Sequence, residues 1–297
     1  MILLTGASGF IGKHLLKELV NVYTDDNVIA LTSSPLQGYK YLLHNNYSFN
    51  DSFFVESGYG DKIETIIHAG AFTPKSGSDA NNWKFCGYNV LNTQKFLSAT
   101  LPSLKKVIYL STLDVYGQSD VISEETITLP ASLYGFSKLY GEKMITNWAD
   151  TEDKICQILR VGHVYGPGEE AYSKIIPTVM KKIINKKAVE IWGTGNELRS
   201  FIYIDDLIKA IVKSIELEEF IEPINLVSAN SISIKELVEK IFQISNNTIN
   251  LKMIPTSGTP RSLSFDNKKM RQYLLSSETP LDTGLNAEWL YMKSLLS

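Results

Sequence analysis

Histidine and cysteine are scarce in this chain of 297 residues, which holds four of the first and two of the second. Cys86 and Cys156 fall in an amphipathic helical segment and an apolar strand segment, show no metal-ligand spacing, and read as buried thiols. With only His14, His44, His68 and His163 as imidazoles, no metal site is expected. An excess of charge of one sign is also missing. Lysine and arginine number 29 against 32 acidic residues, a formal net charge of -3 that supplies no field for nucleic acid or an anionic membrane surface. No apolar run approaches a bilayer span, and a strand pattern starts at Met1 with no room for a leader, so a cytoplasmic protein without a membrane partner is expected. Arginine is the last shortage. Only Arg160, Arg199, Arg261 and Arg271 carry guanidinium, whose fork suits phosphate oxygens, so each asks for a reason.

The chain begins MILLTGASGFIG. An apolar run over 2–4 breaks at Thr5-Gly6, and Phe10, Ile11, Leu15, Leu16, Leu19 and Val20 then recur at helical spacing, which predicts strand, tight turn and helix. Gly6 lets the backbone reverse, Gly9 has no side chain to hold off a pyrophosphate, and Gly12 lets the helix pack closely on the strand. Short apolar segments follow at 28–31, 65–68, 106–110 and 155–161, with a weaker strand around 52–55 and helical patterns at 81–100 and 134–148. This alternation predicts an α/β fold with a doubly wound parallel sheet of Rossmann type over 1–163, whose ligands bind at the carboxyl ends of the strands. From Tyr165 the texture changes. A Lys-rich helix over 172–187, a strand at 202–204, an Asp205-capped helix to 218, a strand at 224–227, a Ser233/Glu236 capping box and a strand near Leu251 predict a smaller mixed α/β C-terminal substrate domain over 164–297. Part of 200–228 is expected to return to the first sheet.

Tyr134 and Lys138 lie four apart in a predicted helix and so share a face. A phenol normally titrates near 10, and a neighbouring ammonium favours its phenolate, a usable base near neutrality. The plainer alternative is an amphipathic helix with a surface lysine. Ser111 and Thr112 end the fifth strand, where either hydroxyl shares a proton with Tyr134, bonds a substrate oxygen, or simply terminates the strand.

Assembled, these residues resemble the extended short-chain dehydrogenases/reductases, and within them the NAD(P)-dependent epimerase/dehydratase group that acts on nucleotide sugars. Thr5-Gly6-Ala7-Ser8-Gly9-Phe10-Ile11-Gly12 is similar to the family's TGxxGFxG loop, and His68-Ala69-Gly70-Ala71 to its strand-four HxAA element. Ser111-Thr112 with Val115-Tyr116-Gly117, and Tyr134-Gly135-Phe136-Ser137-Lys138, resemble two further family stretches, the second being YxxSK. The resemblance implies a dinucleotide, NAD or NADP, held by Gly6, Ser8, Gly9, Phe10, Ile11, Gly12, Thr32, Ala69, Gly70, Ala71 and Ser111. It implies Tyr134 as proton donor and acceptor, Lys138 on the nicotinamide ribose, and Thr112 bridging Tyr134 and a sugar hydroxyl. Arg199 in RSFIYIDDL and Arg261 in GTPRSLSFDNKK resemble the arginines with which relatives clamp a sugar nucleotide's diphosphate. Asp114 and His163 join them as substrate contacts, and a homodimer through the helices at 81–100 and 134–148 is implied.

Departures narrow the reading. Many NAD-using relatives carry a carboxylate where this chain has Thr32, which tilts the cofactor towards NADP without deciding it. Leu113 replaces the aspartate of the dehydratase Asp-Glu pair, leaving Asp114 alone and arguing against elimination of water. His163 stands where relatives often have asparagine, as a phosphate ligand or as packing. Arg160 reads equally as a phosphate ligand or half of a structural ion pair, and Arg271 as surface. The expected activity is hydride transfer at a ring carbon, C4, of a nucleoside-diphosphate sugar, by a 4-epimerase or a 4-ketoreductase. The alternative is a catalytically inactive cofactor-binding regulator or scaffold of the same fold.

Overall fold

A computed structural model of the chain describes residues 1–45, 47–75, 77–247, 251–256 and 262–296. The chain forms two compact units. The first comprises Met1–Gly117, Ile127–Val161 and Ile208–Asn225, the second Gln118–Thr126, Gly162–Leu207 and Leu226–Ser297.

The first unit is built on β1 (Ile2–Thr5), β2 (Val28–Thr32), β3 (Tyr41–Leu43), β4 (Thr65–His68) and β5 (Lys106–Thr112). With Ile155–Val161 and Ile224–Leu226 they make a seven-stranded sheet in the order Ile224–Leu226, Ile155–Val161, β5, β4, β1, β2, β3. The five pairings from β3 to Ile155–Val161 are parallel. β1, β2 and β5 are buried along their whole length, as strands covered by helices on both faces must be. Register sets Thr5 opposite Leu31 and His68, and Ser111 opposite Arg160, so the carboxyl ends of the strands share one edge. The segment expected as a strand around 52–55 is instead the helix Phe53–Glu56, and the edge strand is Tyr41–Leu43. In a strand, Phe53 and Phe54 would point to opposite faces. In a helical turn both rings reach Phe49, at 5.1 and 5.6 Å.

The second unit packs the helices Ile175–Ile184, Ile234–Ser245 and Leu281–Leu296 around Tyr165, Met180, Leu237, Ile241 and Leu285. Gly284 allows the last helix to seat on Tyr165, since a Cβ there would stand 2.2 Å from the phenol oxygen. Four two-stranded ladders among the described residues complete it: Leu198–Ser200 with Ser231–Ser233, Val164–Tyr165 with Ile202–Tyr203, Val189–Trp192 with Leu251–Ile254, and Val121–Ile122 with Ser264–Phe265. The Ser233/Glu236 capping box forms as expected, each group bonding the other's backbone N–H, at 3.2 and 3.0 Å. Asp205 does not cap the following helix but occupies its first turn, and that helix, Ile204–Ser214, stops short of 218. Lys106 Nζ donates to the carbonyls of Ile215 and Leu217 just beyond its end. Among the described residues, no helix is long and apolar enough to cross a membrane.

One buried ion pair ties the first unit together. Glu142, on the helix Leu133–Glu152, and Arg160, on Ile155–Val161, expose 4% and 6% of their side chains. Arg160 Nε and Nη2 donate to the two carboxylate oxygens at 3.0 and 2.7 Å, and Ser111 donates to Oε1 at 2.5 Å. Arg160 Nη1 donates to the Tyr116 hydroxyl at 2.8 Å, which donates in turn to Asn225 Oδ1 at 2.7 Å. Both charges are therefore compensated and hydrogen-bonded, the condition under which burial is tolerated. The structure thus resolves the two readings of Arg160 in favour of the ion pair. Glu142→Ala strands the guanidinium without its carboxylate and should lower the unfolding free energy by about 3–5 kcal/mol in urea titrations, whereas a loss under about 1 kcal/mol would contradict the pair's role.

Candidate active site and cofactor cradle

The loop after β1 is shaped by what its glycines lack. Gly6 has φ +71°, and a Cβ on it would lie 2.7 Å from Gly70 Cα. A Cβ on Gly12 would lie 2.0 Å from the Gly6 carbonyl oxygen. Gly9 is the N-cap of the helix Phe10–Tyr23, supplies no side-chain hydrogen bond, and is exposed, and the helix has no acid in its first turn. The result is a helix N-terminus with no side-chain cap and no acid in its first turn, so that its positive dipole end favours an anion, with Ser8, Phe10 and Ile11 half-buried around it. A pyrophosphate fits this chemistry.

Beside the loop, the turn after β4 is clasped from two sides. Thr5 Oγ1 accepts from the Gly70 N–H at 2.8 Å and lies 2.9 Å from His68 Nδ1. His68 Nε2 is 3.2 Å from Thr93 Oγ1, whose hydrogen goes to the Asn89 carbonyl. The hydrogen-bond network therefore assigns the proton of His68 to Nε2, leaving Nδ1 to accept from Thr5. Burial, reinforced by the charge of Lys138, pushes His68 down to about 3 and keeps it neutral. From the other side, Asn89 accepts from the Phe72 N–H at 2.7 Å and donates to the Phe72 carbonyl and to Ser137 Oγ, both at 3.2 Å. Gly70 is buried where a Cβ would meet the Tyr47 hydroxyl at 2.0 Å, while Ala69 and Ala71 stay half-buried. Thr32 is buried at the end of β2, its hydroxyl donating to the Ser34 carbonyl at 3.0 Å and accepting from the Ser34 N–H at 3.3 Å.

The candidate catalytic side chains stand at the end of β5 and on the helix Leu133–Glu152, which Ser132 caps by accepting from the Gly135 N–H at 3.1 Å. Thr112 is buried and accepts from the Asp114 N–H at 3.2 Å. Tyr134 is 7% exposed and Lys138 2%. The Lys138 ammonium sits 4.1 Å from the centroid of the Tyr109 ring. Burial lowers its pKa to about 7 against the opposing pull of Glu142, so this charge is poised near neutrality. The Ser111 hydroxyl is engaged by Glu142. Asp114 keeps an exposed surface yet is crowded by protein on most sides, and that desolvation raises its carboxyl above the usual range, against the hydrogen bond from Thr112.

In the second unit, Arg199 pairs across its ladder with Ile232 and donates from Nη1 to the Leu198 carbonyl at 2.8 Å. His163 holds the Ile202 N–H on its own carbonyl at 3.0 Å, and its ring lies 6.2 Å from that of Phe201. The ring is crowded yet open to solvent. Desolvation, then the charges of Arg199 and Lys174, push it down to about 4, so a neutral imidazole neighbours a guanidinium. A cleft of about 680 Å³, lined by Tyr165, Phe201, Ile232 and Leu281, carries Glu236, Glu239 and Glu278 with one lysine, Lys240, a charge balance that does not suit a diphosphate. Arg261 lies outside the described residues. Sequence reasoning missed Asn89 and Glu142. Nothing in the sequence marks Asn89, but Glu142 lies four residues after Lys138 and eight after Tyr134, on their helical face.

Known proteins are similar to this chain along most or all of its length. A "dTDP-D-glucose 4,6-dehydratase" of Dictyostelium discoideum is 30% identical over 234 residues, 70% of this chain, which spans only 54% of that relative's length. An "uncharacterized UDP-glucose epimerase", YtcB of Bacillus subtilis, is 31% identical over 99% of this chain and 98% of its own. The crystal structure of UDP-glucuronic acid 4-epimerase from Bacillus cereus, in complex with UDP-glucuronic acid and NAD, matches with a TM-score of 0.83 and 26% identity over 99% of each chain. The family model described as the NAD dependent epimerase/dehydratase family matches residues 2–226, with the cradle, the hydroxyls of β5 and the Tyr134/Lys138 helix all inside the match, and the chain belongs to that family.

Proposed function

We propose that this protein is a UDP-sugar 4-epimerase working with bound NAD. The observation that carries the reading is the juxtaposition, within the first unit, of an uncapped glycine cradle with the buried Tyr134/Lys138 helix and Thr112 at the strand ends. The first unit is the dinucleotide-binding domain and the second the nucleotide-sugar domain. NAD, when bound, supplies the chemistry of accepting a hydride from C4 and returning it. The residues do the rest. Tyr134 takes the proton of the 4-hydroxyl and gives it back, and the Lys138 charge, poised near neutrality, favours its phenolate. Thr112 orients the sugar hydroxyl towards Tyr134, and Asp114 meets a second hydroxyl. Arg199 and Arg261 hold the diphosphate, with His163 as a neutral hydrogen-bonding partner. Gly6, Gly9 and Gly12, with Ser8, Phe10 and Ile11, receive the pyrophosphate. Ala69, Gly70 and Ala71 wall the cofactor, and Thr32 and Ser111 act by holding the strand ends beside it.

NAD is favoured over NADP because the family is described as NAD dependent and the solved relative holds NAD. Epimerisation is favoured over dehydration because Leu113 leaves Asp114 without an acidic neighbour, and over a single reduction because YtcB and the Bacillus cereus enzyme, matched along their full lengths, are named as epimerases. Thr112, Tyr134 and Lys138 are all in place, and no observation favours an inactive scaffold.

The working form is a homodimer. The helices Trp83–Ser98 and Leu133–Glu152 pack on each other, and they expose Trp83 (78%), Leu91 (54%), Phe136 (52%) and Tyr140 (57%). A shared apolar face on two adjacent helices suits a second copy of the same face across a two-fold axis.

Denaturing the purified protein should release about one NAD per chain, as tight retention of a recycled cofactor requires; a protein that holds no dinucleotide and instead oxidises added NADPH with a 4-keto nucleotide sugar would make it a ketoreductase. Tyr134→Phe should cut kcat by about 10²–10⁴ with unchanged circular dichroism, and near-normal turnover would remove Tyr134 from the mechanism. Light scattering should give a dimer for the native chain and a folded monomer for the double variant Trp83→Glu/Phe136→Glu, and a native monomer would refute the interface.

A further inference from the structure

Two buried acids of the second unit take no part in the steps above. Glu169, in the loop after Val164–Tyr165, and Glu288, on the helix Leu281–Leu296, are each 1% exposed, and all four of their carboxyl oxygens are sealed from solvent. The carboxyls lie within hydrogen-bond reach of each other. Few other groups face them. The Lys174 ammonium is 3.0 Å from Glu169 Oε2, and the backbone N–H of Gly166 is turned towards the pair. Farther out stand Tyr165, Tyr203, Asp206 and Asp282, while Glu170 is engaged by the Tyr291 hydroxyl at 3.1 Å.

Two ionised carboxylates at this spacing would place two negative charges against one ammonium in a dry site. With one proton between them the cluster is neutral, and the protonated oxygen donates to the other carboxylate. Desolvation raises both acids, and for Glu288 the charge of Glu169 adds to it.

The loop around them is tightly fitted. Gly166 and Gly168 take φ +137° and +100°, and a Cβ on Gly166 would come within 2.5 Å of Ile204 Cγ2. Glu169 donates its N–H to the Gly166 carbonyl at 3.3 Å and accepts from the Tyr172 N–H at 2.9 Å. Lys174, at the far end, donates to the Val164 carbonyl at 2.7 Å, so one ammonium joins both ends of the loop and faces Glu169. His163 directly precedes Val164, and the Lys174 charge acts on its ring.

We propose that Glu169 and Glu288 share one proton at neutral pH, and that this hydrogen-bonded pair, with Lys174, clamps loop 164–174 to the last helix, positioning His163 for the nucleotide sugar. The proton sharing stands without the reading of His163 as a substrate ligand; its effect on substrate binding rests on that reading. The sign follows from the raised acids. The folded pair keeps a proton above the ordinary carboxyl value of 4.5, which the unfolded chain has released, so stability falls as pH rises beyond that range.

The test compares the native protein with Glu288→Gln, which keeps a donor to Glu169 but cannot titrate. Infrared spectra at neutral pH should show a protonated carboxylic acid in the native protein and lose it in Glu288→Gln. The thermal midpoint of the native protein should fall from neutral to alkaline pH, and that of Glu288→Gln should fall less. No acid band in the native protein, or equal slopes in the two proteins, overturns the shared proton whatever substrate the enzyme uses. For positioning, the native KM for the nucleotide sugar should rise about tenfold at alkaline pH at nearly constant kcat, and by no more than about twofold in Glu288→Gln. If the acid band and the slopes behave as expected while the two KM profiles coincide, the shared proton stands and its link to the substrate site is overturned. Failure to turn over any nucleotide sugar would overturn the proposed function while leaving the infrared and thermal results to decide the clamp.

Discussion

The carboxylate of Glu142 is the interaction on which the first unit depends. It neutralises Arg160 on one strand, receives the Ser111 hydroxyl from another, and bears on Lys138 one helical turn away. Because the pair is dry, its geometry is enforced by the large cost of leaving either charge unmatched. The helix carrying Tyr134 and Lys138 is thereby pinned to the strand ends. The same carboxylate holds up the charge of a lysine that burial alone would drive lower. Fold stability and the protonation of the buried Lys138 thus hang on one group.

A second constraint is backbone proximity. The turn after β1 and the turn after β4 approach so closely that neither Gly6 nor Gly70 has room for a methyl group. Thr5 bridges them by accepting from the Gly70 N–H, and a neutral His68 carries the network on to Thr93. A cradle for a dinucleotide has to be rigid before the ligand arrives if the ligand's binding energy is not to be consumed in ordering it. Here the rigidity comes from small residues and shared hydrogen bonds. The second unit uses a related device, in which Gly284 lets a helix seat on Tyr165 and a lysine joins the two ends of one loop.

Much of this was legible in the residues themselves. The strand, turn and helix at the N-terminus follow from apolar spacing and three glycines, and the Ser233/Glu236 box from two side chains three apart. Where the reading failed, side-chain packing overrode local pattern: Phe53 and Phe54 chose a helical turn because one aromatic cluster accepts both. Asn89 and the Glu169/Glu288 pair answer to no periodic signal, and the periodicity that puts Glu142 on a helical face does not name its partners. Their roles come from partners distant in sequence, which topology alone brings together. Glu142 was the most accessible of these, since it shares a helical face with Tyr134 and Lys138. Arg160, left with two readings by its scarcity, was resolved by the same carboxylate.

In the proposed mechanism C4 of the sugar loses and regains a hydride while Tyr134 handles only the hydroxyl proton. The most direct measurement is to incubate the enzyme with a UDP-sugar deuterated at C4 and determine by mass spectrometry and NMR where the label resides after the configuration has inverted. Deuterium retained at C4 of the epimer is the expected result. Replacement of that deuterium by solvent hydrogen would mean that the carbon is deprotonated rather than oxidised, and would contradict the mechanism.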